Sequence, residues 1–180
     1  MLIPDAQKDM QEAYYGGATG AVTSATAWLV AALVANFVSP KAGILTLIFG
    51  GMLIFPVSVV LCKIIGRSGK HCKENPLGSL ALEGTVWMLF SIPLAIGAAF
   101  YRIELFFPAM LLVIGGRYLT FTTLYGMKIY WLFGATLAIS SVPLVVLGAP
   151  PSAGAFTGAI IEYAYGITIF AVYKKKHPNQ

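Results

Sequence analysis

The sequence predicts an all-α, polytopic transmembrane bundle of six spans, with the N- and C-termini both cytoplasmic. Three observations predict it. The apolar residues fall in successive runs of roughly 20, the length a helix needs to cross a bilayer. Charged residues are 11% of the 180, against 58% hydrophobic, and the mean hydropathy is +0.79; a soluble chain carries about a quarter charged. The third observation is where the bases fall. With six spans, Lys8, Lys63, Arg67, Lys70, Lys73, Lys128 and Lys174 to Lys176 share one side, and only Lys41 and Arg102 lie on the other. The positive-inside rule puts the base-rich side in the cytoplasm. It also explains the net charge of +5 as topology, so nucleic acid is not expected as a partner. The alternation of a membrane β-barrel is absent.

The chain reads as one membrane domain, residues 1–180. Residues 1–13 make a short interfacial segment, with Pro4-Asp5 as a helix start and Ile3, Met10 and Tyr14 near helical spacing. Met1 to Glu12 is mixed acidic and polar, unlike a secretory signal, so the first span is expected to serve as its own uncleaved signal. That span covers about 14–38. Gly16, Gly20 and Ser24 recur every fourth residue in it, a face suited to close helix packing. Thr19, Thr23 and Thr26 form a weakly polar stripe beside it.

Ser39-Pro40-Lys41 turns into the second span, about 42–65, which holds Gly50-Gly51 and Pro56. The polar loop from Gly66 to Gly78 follows. It lacks the Gly-x-x-x-x-Gly-Lys-Ser/Thr spacing of a phosphate loop, which excludes that mode of ATP binding. The third span, about 79–101, carries Glu83 one turn inside and Pro93. The fourth, about 105–127, carries Pro108 and Arg117; the fifth, about 129–148, carries Pro143. Ala149-Pro150-Pro151-Ser152 leads to the sixth, about 153–173, and residues 174–180 form a basic cytoplasmic tail. Matches offset by near fifty residues, such as Leu53-Ile54-Phe55-Pro56 with Leu105-Phe106-Phe107-Pro108, suggest that the hairpin of spans two and three recurs as spans four and five.

Arg117 follows Gly115-Gly116 in the middle of an apolar run. A charge at that depth costs about 3 kcal/mol on insertion scales and calls for a partner. Glu162 is the acid deepest inside any other span. The two depths differ by about 5 Å at 1.5 Å per residue, within an arginine's reach. An Arg117–Glu162 pair is therefore expected at the centre of the bundle. Tyr118 and Tyr163 would add hydroxyls, Gly115 and Gly116 would open the backbone to a neighbour or an anion, and Glu83 would approach from below.

Gly50-Gly51-Met52-Leu53-Ile54, Asn75-Pro76-Leu77-Gly78 with Glu83, and Phe107-Pro108-Ala109-Met110 through Gly115-Gly116-Arg117-Tyr118 to Leu124-Tyr125-Gly126 carry a resemblance. Over most of its length the chain resembles a bacterial family of small multi-pass membrane proteins, catalogued as a domain of unknown function. The resemblance implies a bacterial inner-membrane setting and brings no activity, ligand or catalytic residue.

Catalysis lacks parts. His71 and His177 fall outside the spans, Asp5 and Asp9 lie in the N-terminal segment, and no His-Glu-x-x-His, paired-aspartate or Ser-His arrangement exists within the spans. His71-Cys72 has no second pair of ligands, so Cys62 and Cys72 read as free thiols, with no metal and no cofactor expected. The sequence thus points to an integral membrane protein, not an enzyme, that binds or transports a small solute or ion through a polar Arg117–Glu162 centre. The alternative is a structural or regulatory subunit that assembles through the small face of helix one. A homodimer suits either, because six short helices make a thin bundle.

Overall fold

The computed structural model describes residues 1–176 and is helical throughout, with no strand among them. A short helix α1 (Ile3–Tyr14) precedes six long ones: α2 (Ala18–Phe37), α3 (Pro40–Ile64), α4 (Leu77–Tyr101), α5 (Phe106–Tyr125), α6 (Ile129–Val146) and α7 (Pro151–Lys176). Six helices are long and apolar enough to cross a membrane. The spans expected from hydropathy agree with these bounds to within a few residues. Local chemistry sets several ends. The Ser39 hydroxyl accepts from the Ala42 amide at 3.2 Å, with Pro40 in the first turn of α3. Asn75 Oδ1 accepts from the Leu77 amide at the start of α4. Lys174 to Lys176 continue α7 instead of forming a separate tail, and the rest of the expected tail, 177–180, lies outside the described residues.

The first span differs most from expectation. Tyr15, Gly16 and Gly17 have φ of +52°, +63° and +87°, a left-handed run that separates α1 from α2. A side chain at Gly17 would meet the Tyr130 hydroxyl and the Tyr125 ring. Gly16, Gly20 and Ser24 therefore do not form one packing face. Gly16 sits in the kink, a Cβ at Gly20 would meet nothing within 4 Å, and only Ser24 packs on the inner side of α2. Spacing of four defines a face only along an unbroken helix, and the break falls inside the stripe.

Helix α2 is the centre of one half, held between α3 and α7 through Ala21, Ala25, Trp28, Ala31, Ala32 and Ala35, all buried. Helix α5 is the centre of the other, between α6 and α4. Gly115 of α5 and Gly134 of α6 touch so closely that a Cβ on either would meet the other's backbone carbonyl. Helix α7 joins the halves. The edge helices α3 and α4 are only 11% buried over their most apolar stretches, which leaves long faces for lipid. Consecutive α3 and α4 hardly touch, whereas α5 and α6 pack along their length. The repeat hinted at in sequence is thus not a repeat of packing. Helices α3, α4 and α6 run unbroken through Pro56, Pro93 and Pro143, and Pro108 lies in the first turn of α5. None of these four prolines breaks its helix.

The base-rich end is closed by α1 and the loop after α3. Asp9 Oδ2 accepts from Asn75 Nδ2 at 2.7 Å and from the Cys72 amide at 3.0 Å. Asn75 Nδ2 also donates to the Ala6 carbonyl, the Gly69 amide donates to the Ala13 carbonyl, and the Tyr14 hydroxyl meets His71 Nδ1 at 2.8 Å. Gln7 and Gln11 donate to the Thr123 and Tyr125 carbonyls at the end of α5. Ala6, Met10 and Ala13 are buried beneath this network, so α1 is a packed part of the bundle.

Candidate functional site

The polar centre of the bundle is Glu162, which is 0% exposed. It belongs to a seam on α7. Gly154, Gly158, Glu162 and Gly166 recur every fourth residue, and the three glycines lie under neighbours that a Cβ would strike: Phe107 at Gly154, the Trp28 indole at Gly158, Val22 at Gly166. Small residues in such a row let helices approach closely. At the one position of the row that is not glycine, the chain carries a carboxyl group.

Three donors surround that group. The hydroxyls of Ser24 and Tyr118 and the indole N–H of Trp28 face it, from α2 and α5. None completes a hydrogen bond of regular geometry: both carboxyl oxygens and Trp28 Nε1 are buried without one. A buried polar group left short of partners costs roughly 1–3 kcal/mol and more when charged, so this arrangement asks for an explanation.

Arg117 is not the partner. Its Nη2 donates to Thr85 Oγ1 at 3.1 Å and its Nη1 to Met88 Sδ at 3.4 Å, both on α4, and the guanidinium lies 5.6 Å from the Phe121 ring centre. The ion pairs found among the described residues are Lys8–Glu12 and Arg102–Glu104, both near the surface. Depth is not what keeps Arg117 and Glu162 apart, since each lies eleven residues into its helix. The difference is angular. Adjacent residues on a helix project about 100° apart, and Tyr118 takes the inward direction, in line with Phe107, Leu111 and Ile114, all buried. Arg117 is left half-buried between α4 and α5.

The other expected site residues scatter. Glu83 is exposed on the outer face of α4, in a shallow groove with Leu82, Val86, Trp87 and Phe90, on the side away from Arg117. Gly115 packs on α6 and offers no backbone to an anion, and Gly116 faces outward with nothing within 4 Å. The Tyr163 hydroxyl meets Thr26 Oγ1 at 2.8 Å, beside but not at the centre. Tyr118 alone of the proposed helpers stands by Glu162. Its ring stacks on Phe133 at 3.9 Å, the start of an aromatic column through Tyr130 and Tyr125 toward the closed end.

Residues 3–175 match the profile of a family of unknown function, DUF7010. The chain belongs to that family. No curated protein and no solved structure matches it. Membership in DUF7010 covers nearly the whole chain, so the six-helix bundle and its Glu162 centre lie within the family's extent. The family carries no activity to transfer, and the chemistry must be read from these residues.

Trp28 and the α7 seam were missed by sequence reasoning. The signal for the seam was present, as glycines at 154, 158 and 166 with the acid in register. Trp28 stands out as a large side chain in a helix otherwise rich in small ones. The Asp9–Asn75–Cys72 contacts had no such signal, because residues 66 positions apart in sequence meet only in the fold.

Proposed function

We propose that this protein sits in the bacterial inner membrane and binds or moves a small solute or ion through the polar centre at Glu162, without catalysing a reaction. One observation carries the reading: a fully buried carboxyl group in a glycine seam, ringed by donors that do not complete bonds to it. An ionisable group inside a membrane bundle marks a substrate or ion path by default. Arg117 has a secondary role here, tied to α4 and half-buried beside the route. The test is flux of ions and small solutes into liposomes holding purified protein. Glu162→Gln is expected to abolish flux with melting temperature kept. Loss of folding in Glu162→Gln, with no flux in the native chain for any solute tried, overturns the reading.

A second reading has its own observation. Glu83 is a carboxyl group exposed on an apolar helix face about 9 Å inside α4, where lipid gives it no partner. That favours a structural or regulatory subunit whose α4 packs on another chain or a second copy. Of the residues first expected to form the assembling face on helix one, Gly16 sits in the kink beside Met127 and Ser24 turns toward Glu162. Single cysteines at Val86 or Phe90 in a Cys-free background should then cross-link in membranes, and absence of cross-linking at both speaks against it.

A further inference from the structure

We infer that the ion taken by the Glu162 centre is a proton, bound and released by the Glu162 carboxyl group itself; this rests on the reading of that centre as an ion site. The argument is the chemistry of the shell. A metal cation or alkali ion requires several oxygen acceptors, commonly six or more for the hard cations. Around Glu162 the neighbours are an indole N–H, which can only donate, and two hydroxyl groups. A donor-only indole turned toward the centre repels a cation and solvates a carboxylate. Only one acid is present, and no group of three or more His, Cys, Asp or Glu that could hold a metal occurs among the described residues.

Geometry also fits two protonation states. With the proton on, the neutral carboxyl group sits in the apolar seam between Gly158 and Gly166 without a charge to solvate. With the proton off, the hydroxyls of Ser24 and Tyr118 and the indole N–H of Trp28 are the donors that face the carboxylate, and Trp28 Nε1 has no other partner among the described residues. The groups that act on it electrostatically come from α5: Tyr118 beside it and Arg117 further off. Helix α2 presents Ser24 and Trp28, which do not titrate. The step is a simple balance. The carboxylate takes one proton from water on loading and returns it to water on release, and no other bond changes.

The experiment is infrared difference spectroscopy of the protein in nanodiscs across about pH 5 to 10, with Trp28 emission read in a Trp87→Phe, Trp131→Phe background. Both replaced tryptophans are exposed, so the background is expected to fold. The expected result is a protonated-carboxyl band that titrates, is lost in Glu162→Gln, and shares its midpoint with a change in Trp28 emission. Glu162→Asp should keep a titrating band with a displaced midpoint, which separates loss of the proton site from loss of fold. Sodium and potassium should leave the midpoint in place. A carboxyl band that stays constant over the whole range, or a midpoint moved by an alkali cation, overturns the inference. A titrating band in a protein that carries no flux would keep the proton site and sink the transport reading. Flux lost in Glu162→Gln without any titrating band would do the reverse.

Discussion

Gly158 is the residue on which the geometry of the centre rests most directly. A Cβ there would come within 2.6 Å of the Trp28 ring, and the indole has α2 behind it. Gly158→Ala is expected to cost about 1–3 kcal/mol through overpacking, read as a lower melting temperature in detergent. The open position Gly20 provides the control, because Gly20→Ala should leave stability unchanged or slightly improved. Residue-scale chemistry also reaches the polar loop. Cys72 donates its thiol to Glu74 Oε2 at 2.7 Å, and that bond holds the thiol above its usual range and the carboxyl group below its own. The thiolate is therefore scarcer than usual near pH 8. Glu74→Ala should bring the thiol down and raise the alkylation rate of Cys72 several-fold, measured in a Cys62→Ala background. Much at this scale was legible. Charge against hydropathy singled out Arg117 and Glu162 from the whole chain. What the sequence could not supply was the direction in which each points. One residue's rotation on α5 put Tyr118, and not Arg117, beside the acid.

At the scale of elements, α1 is the one whose role changed most between sequence and structure. Its composition suggests a helix lying at the membrane surface, yet it is fastened across the bundle end by Asp9, Asn75, Gln7 and Gln11. Asn75 is buried and joins three partners: Ala6, Asp9 and the first amide of α4. Asn75→Ala should loosen this closure, with a stability loss of about 1–3 kcal/mol and faster proteolysis of the first fifteen or so residues. Unchanged proteolysis would mean that α1 is held by Met10 and its apolar neighbours alone. The spans themselves were legible because each apolar run is long and ends in a turn that carries Gly, Pro, Ser or a charged residue. The kink at Tyr15–Gly17 was not, because two glycines in a membrane helix also fit an unbroken packing face.

For the whole molecule, six spans and the one-sided bases predict an orientation that can be checked from outside. Cys72 lies exposed in the base-rich loop and Cys62 is buried. A membrane-impermeant maleimide should label Cys72 in inverted vesicles and not in intact cells, and labelling in intact cells would reverse the orientation. The two halves, one built on α2 and the other on α5, meet along α7, and Glu162 stands at that junction with Ser24 and Trp28 on one side and Tyr118 on the other. The most direct test of this arrangement is a double-mutant cycle between Arg117→Ala and Glu162→Gln, read as thermal stability in detergent. With Arg117 bonded to α4 and Glu162 facing the α2–α5 donors without a regular bond to any of them, the two losses should add to within about 0.5 kcal/mol, as for sites without shared partners. If Glu162→Gln instead relieves the damage of Arg117→Ala, the two charges form a pair, and the centre described here is wrong.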